Sequence, residues 1–197
     1  MLLGNLVYAQ KLSVGAIGGV PFTDGTSFSH DESRPYVVGA SVEVRLPAGF
    51  AIEADGIYRP VGNTANYQLL GAPGPAVTSL TTRKRGNSWE FPVLGKYYFR
   101  PRESGWQPFV ATGWALRTVA FHDNGTSTTT DANGAASTST FRDDYISDLG
   151  VGAVVAAGVR FRTGRFAFLP EVRYTRWGSD TSTLRKNEAG FLLGITF

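Results

Sequence analysis

The stretch Glu188-Ala-Gly-Phe-Leu-Leu-Gly-Ile-Thr-Phe197 decides the fold. Read back from Phe197, the residues Phe197, Ile195, Leu193, Phe191 and Ala189 share one face of a strand, and Thr196, Gly194, Leu192, Gly190 and Glu188 share the other. One face is apolar; the other is small and polar. An apolar strand face meets either a protein core or lipid, and the rest of the chain has to distinguish the two.

At 197 residues the chain has the size of one domain. No window holds the ~18 consecutive apolar residues of a transmembrane helix, whereas tilted spanning strands of about 9 to 11 residues are available. Twenty-four glycines, 13 Phe, 8 Tyr and 4 Trp favour strands. The absence of cysteine excludes disulfides and Cys-based metal or thiol chemistry. A net charge of +3 with no basic helix argues against a nucleic-acid partner. Residues 1–9 have an apolar body with Val7 and Ala9 at the small positions of a secretory signal, though no charged start, so the folded domain is expected over residues 10–197.

The alternation recurs seven more times upstream. Apolar faces run through Leu12 to Phe22, Tyr36 to Leu46, Phe50 to Tyr58, Trp89 to Phe99, Val110 to Leu116, Leu149 to Phe161 and Phe166 to Tyr174, each at every second residue. Pro47-Ala48-Gly49 reads as a three-residue turn with Gly49 left-handed, and Gly164-Arg165 as a two-residue turn with Gly first. The connections Thr23 to Pro35, Pro60 to Asn87, Ala120 to Ser147 and Gly178 to Asn187 read as long loops. The Thr/Ser/Ala/Gly/Asn tract from Gly125 to Thr140 has too little apolar content to order itself.

Alternation alone fits both a soluble lipocalin-like barrel with a small apolar ligand and a membrane barrel. Three features favour the membrane. The charged face is also the glycine and alanine face, as the narrow bore of a small barrel requires. Long and short connections alternate, which puts every short turn and both termini at one end, the periplasmic side of such a barrel. Aromatics on the apolar face gather at the strand ends: Phe50, Tyr97, Phe99, Phe161, Phe166, Phe168 and Phe197 at the turn end, and Phe22, Tyr36, Tyr58, Trp89 and Tyr174 at the loop end. The predicted fold is an all-β, eight-stranded antiparallel up-and-down transmembrane β-barrel.

The alternating strands, the Gln107-Pro-Phe-Val110 strand opening and the pattern Phe191-x-Leu193-x-Ile195-x-Phe197 resemble the eight-stranded outer-membrane β-barrel family, the OmpA-type transmembrane domain and its OmpX-like relatives. The resemblance implies an outer-membrane location, a structural or surface-interaction role through four long loops, and no open pore. It also implies that Phe191, Leu193, Ile195 and Phe197 are an assembly signal for the barrel-assembly machinery.

The interior is expected to hold Glu43, Glu53, Asp55, Glu90, Glu171 and Glu188 with Arg45, Arg59, Lys96, Arg100, Arg117, Arg160 and Arg173. Near balance of sign implies a salt-bridged filling, with a narrow ion path as the rival reading. The three-residue turn opposes Glu43 to Glu53, so a base, Lys96 or Arg100, is expected beside Glu53. Arg83, Lys84, Arg85, Arg176, Arg185 and Lys186 are candidate contacts for lipopolysaccharide phosphates. His30 near Ser33, and His122 with Asp123 and Ser127, contain the residue types of a hydrolase, but both groups fall in loops, so no enzyme is expected. Asp143, Asp144 and Asp148 read as solvated. No cofactor or metal is expected, and the chain is expected to be a monomer.

Overall fold

A computed structural model describes residues 12–22, 29–31, 36–70, 77–146, 149–178 and 186–197. The segment 1–9 lies outside the described residues. The strands are β1 (Leu12–Phe22), β2 (Ser29–Asp31), β3 (Val37–Arg45), β4 (Phe50–Leu70), β5 (Val77–Tyr98), β6 (Trp106–Thr130), β7 (Ala136–Ile146), β8 (Gly150–Thr163), β9 (Phe166–Trp177) and β10 (Asn187–Thr196). Antiparallel pairing in the order β1-β3-β4-β5-β6-β8-β9-β10 returns to β1 and closes an eight-stranded barrel.

Closure rests on the opening stretch. β10 runs beside β1 from Gly15–Thr196 to Phe22–Ala189, and Val14 and Phe197 exchange backbone hydrogen bonds of 3.1 and 3.4 Å beyond the last rung. The two backbones are so close that a Cβ at Gly15 would stand 2.4 Å from the Ile195 carbonyl oxygen. Here glycine is a condition of closing the seam. Alternate side chains then sort cleanly: Ile52, Phe91, Val93, Trp114, Val155, Val172 and Leu193 are exposed on the outside, while Glu43, Glu53, Lys96 and Arg173 are buried in the bore.

The short turns set the register. Leu46 N donates to Phe50 O at 2.8 Å, which opposes Glu43 to Glu53. Both Ala48 (φ 59) and Gly49 (φ 84) are left-handed, whereas only the glycine was expected to be. Pro47 fixes its own φ, so the reversal falls on the two residues after it. At the β8–β9 turn Gly164 has φ +61 and Thr163 faces Phe166, a two-residue connection with glycine first.

Two of the expected loops are strands instead. The tract read as a loop from Pro60 to Asn87 continues β4 to Leu70 and starts β5 at Val77; the tract from Ala120 to Ser147 continues β6 to Thr130 and returns as β7. Low apolar content does not melt them, because each extends a ladder already nucleated in the barrel and threonine favours strands. Hydroxyls pair across the rungs, Thr78 with Thr129 at 3.1 Å and Thr128 with Thr138 at 3.2 Å. Asp131 Oδ1 closes the hairpin tip by accepting from Asn133 N (2.9 Å) and Ala135 N (2.8 Å).

Ala48→Gly removes a Cβ from a left-handed position and is expected to raise stability by about 0.5 to 1 kcal/mol in urea unfolding from lipid vesicles; a loss of stability contradicts the turn geometry.

Candidate functional site

Two places gather polar chemistry: the bore and the sheet that rises above one rim. In the bore, the acids Glu43, Glu53, Asp55, Glu90, Glu171 and Glu188 stand against the bases Arg45, Arg59, Lys96, Arg117, Arg160 and Arg173, six of each. They form three tiers. Nearest the short turns, Glu43 accepts from Arg45 Nε at 2.6 Å, from Arg160 Nη1 at 3.2 Å and from the Tyr98 hydroxyl at 2.6 Å. The Arg45 guanidinium lies 3.4 Å over the Tyr98 ring and donates to Gln107 Oε1 at 3.3 Å.

In the middle tier, Lys96 Nζ lies 2.5 Å from Glu53, 3.5 Å from Glu171 and 3.9 Å from Glu43, so it bridges the like-charged Glu43–Glu53 rung. Arg173 reaches Glu171 at 2.7 Å, Asp55 at 2.8 Å and Glu53 at 3.4 Å. In the third tier Arg59 pairs with Glu188 and lies 4.0 Å from Glu90, while Arg117 lies 3.8 Å from Glu188 and 4.0 Å over the Trp177 ring. Small cavities remain between the tiers, of about 10 Å³ beside Lys96 and about 30 Å³ beside Glu90 and Glu188. The first has room for about one water and the second for about two or three.

Arg100, read from the sequence as an interior base, is not in this network. β5 ends at Tyr98, so the alternation that points Lys96 inward stops before Arg100; its side chain is exposed and stacks 3.8 Å over the Trp106 ring.

Above the opposite rim, β4, β5, β6 and β7 continue as a sheet, joined by β2 along β4. Along these strands the two faces exchange polarity. Within the barrel the outward side carries Ile52, Trp89, Phe91, Val110 and Trp114; beyond the Pro60–Asn87–Ala120 rung it carries Asn66, Gln68, Thr81, Arg83, Arg85, His122, Asn124 and Thr126. The inward side changes in the opposite sense, from Glu53, Glu90 and Arg117 to a buried cluster of Val61, Val119 and Phe121.

The register sorts the candidate headgroup contacts. Arg83, Asn124 and Arg142 share one outward row, and Arg85, His122 and Asp144 share the next. Asp144 accepts from His122 Nδ1 at 2.8 Å and lies 3.5 Å from Arg142; the His122 bond first, then Arg142, holds its carboxyl below the usual range. Lys84 points the other way, because neighbours on a strand cannot share a face. It donates to the Tyr145 hydroxyl at 2.5 Å and lies 3.5 Å from Asp123. Burial opposes its charge, but these two partners outweigh burial and hold its ammonium above the usual value. Arg176 is exposed, Lys186 is half-buried, and Arg185 lies outside the described residues. Arg142 was missed by sequence reasoning because its segment reads as loop; a strand register is the only signal that places it beside Arg83.

Phe191, Leu193, Ile195 and Phe197 are exposed on the outside of β10, with Phe197 at the short-turn rim. His122 and Ser127 lie on opposite faces of β6, and Ser33 and Asp148 lie outside the described residues. His30 is described in its backbone alone, on β2. Among the described residues no cluster of His, Asp or Glu could hold a metal.

Compared with known proteins, residues 8–178 match the family described as outer membrane protein beta-barrel domain, and the chain belongs to it. Its place is the outer membrane, which decides the two readings of the apolar face in favour of lipid. Neisserial surface protein A is similar in fold, at 15% identity over 94% of this chain and 95% of that one, with a TM-score of 0.52. The N-terminal β-barrel domain of Pseudomonas aeruginosa OprF matches at 15% identity over 95% of this chain and 97% of that one, TM-score 0.46. The E. coli outer membrane protein W matches at 12% identity over 96% and 97%, also with a TM-score of 0.46. No curated protein matches the chain in sequence.

Lys96→Met leaves Glu53 and Glu171 facing Glu43 without their shared cation and is expected to destabilise the barrel by about 3 to 5 kcal/mol in urea unfolding, with part of the loss recovered in Lys96→Met/Glu53→Gln. A near-neutral single substitution contradicts the bridging role.

Proposed function

We propose that this chain is a non-enzymatic structural and surface-interaction protein, working through the sheet that β4 to β7 raise above the outer rim. In this reading the short turns and both termini are periplasmic, the raised sheet takes the place of the long loops at the outer surface, and the bore is closed to ion flow. The exchange of polarity along β4, β5 and β6 carries the proposal. A strand buys nothing by changing its apolar side unless its surroundings change from lipid to water at that height. The matched six acids and six bases, with small cavities of about 10 and 30 Å³ between them among the described residues, support a filled bore rather than an ion path.

The outward rows of the sheet then meet the outer-leaflet headgroups. Arg85 is four residues beyond Trp89 on the same face, which at about 3.4 Å per residue and a tilt of about 40° sets it roughly 10 Å above the aromatic level. Lipid phosphates of lipopolysaccharide are the anions at that depth, and guanidinium groups bind phosphate in pairs of hydrogen bonds. Arg83, Arg85, Arg142 and Arg176 are the contacts this geometry selects; Lys84 serves the inner face of the sheet instead.

Arg83→Gln/Arg85→Gln/Arg142→Gln/Arg176→Gln is expected to lower the lipopolysaccharide retained on the purified, folded barrel at least several-fold, with a smaller effect on lipid whose phosphates have been removed. Unchanged retention contradicts the headgroup role.

A further inference from the structure

We propose that the rim carrying the short turns is a binding site for anionic phospholipid, formed by Arg100, Arg102, Arg162 and Arg165 around Trp106. The proposal rests on the lipid-facing reading of the apolar band and holds whichever compartment this rim faces.

Charge is distributed unevenly over the turns at this end. Pro47-Ala48-Gly49 has none, whereas the segment from Arg100 to Gly105 and the turn at Thr163–Phe166 with its flanks carry the four arginines against Glu103 alone. The two charged turns are neighbours: Trp106 faces Phe161 across β6 and β8, and Arg162 N donates to Gly105 O at 2.9 Å. Arg100, Arg162 and Arg165 are exposed and Arg102 is half-buried, and among the described residues none of the four is ion-paired.

The segment that carries Arg100 and Arg102 is also held in place. Gln107, buried just inside the rim, donates through Nε2 to Arg100 O at 3.1 Å and to Pro101 O at 2.5 Å, while Phe99 N donates to Pro108 O at 3.0 Å. The Arg100 guanidinium rests 3.8 Å above the Trp106 ring. A buried amide pinning a turn backbone from within fixes where its side chains project.

The surroundings specify the ligand. Trp106, Phe99, Phe161 and Phe166 are exposed on the lipid side at the same level, and such aromatics sit at the boundary between acyl chains and headgroups. An anion approaching the arginines therefore arrives with apolar surface beside it if it is a phospholipid, and without it if it is a soluble ion or a cell-wall carboxylate. Four arginines against one glutamate favour an anionic headgroup over a zwitterionic one, whose own cation would face the same charges.

The test uses the full chain refolded in vesicles, in a Trp89→Phe/Trp114→Phe background that leaves Trp106 as the lipid-facing tryptophan, Trp177 being buried in the bore. Quenching of Trp106 is compared for phosphatidylglycerol and phosphatidylcholine brominated high on the acyl chain. The expected result is a preference for phosphatidylglycerol of about fivefold or more, the effect of a few basic residues at an anionic headgroup. It is lost in Arg100→Gln/Arg102→Gln/Arg162→Gln/Arg165→Gln or, if that variant does not fold, reduced in each of its two halves. Equal quenching by both lipids, or a preference that survives the substitutions, overturns the site alone. No quenching by either lipid overturns the lipid-facing reading on which it rests.

Discussion

The structure depends on the neutralisation of charged side chains buried inside the bore. A turn of three residues opposes Glu43 to Glu53, an arrangement that two carboxylates out of water do not tolerate by themselves. Lys96, from the next strand but one, answers both, and it also reaches Glu171 on the far wall. Arg173 closes the circuit through Glu171, Asp55 and Glu53. The barrel wall is held by backbone ladders, but the filling is held by charges that cannot be removed singly. Glycine and alanine on the same inward face leave the volume these long side chains need.

The outer wall follows the opposite logic, and along β4, β5 and β6 that logic reverses at one height. Through the barrel the outside is aliphatic with aromatic rims; past the rung of Pro60, Asn87 and Ala120 it becomes arginine, asparagine and threonine, while Val61, Val119 and Phe121 turn inward. The strands do not stop at that height. They carry their register upward, so that a barrel wall becomes a raised sheet whose buried apolar cluster lies on what was the polar side.

Much of this was legible from the residues. Period-two alternation located the barrel strands, and turn length set the register, including the Glu43–Glu53 rung. The raised sheet was not legible, because the Thr/Ser/Ala/Gly/Asn tract from Gly125 to Thr140 carries no apolar alternation; its pairing is inherited from the ladder below, a tertiary effect that no local window contains. Arg100 was misplaced for a related reason: parity was carried two residues past Tyr98, where the strand ends. Arg83-Lys84-Arg85 looked like one basic run only while it was taken for a loop; on a strand its middle member must face away from its neighbours.

The most direct test of the account is a scan of spin labels along β5, one residue at a time from Ser79 to Tyr97, in the barrel refolded into a bilayer, reading collision with oxygen and with a water-soluble nickel reagent. Odd positions from Trp89 to Tyr97 are expected to favour oxygen, odd positions from Ser79 to Arg85 to favour nickel, with the change falling near Asn87. Oxygen preference continuing at odd positions up to Ser79, or appearing at the even positions that include Glu90 and Lys96, would contradict it.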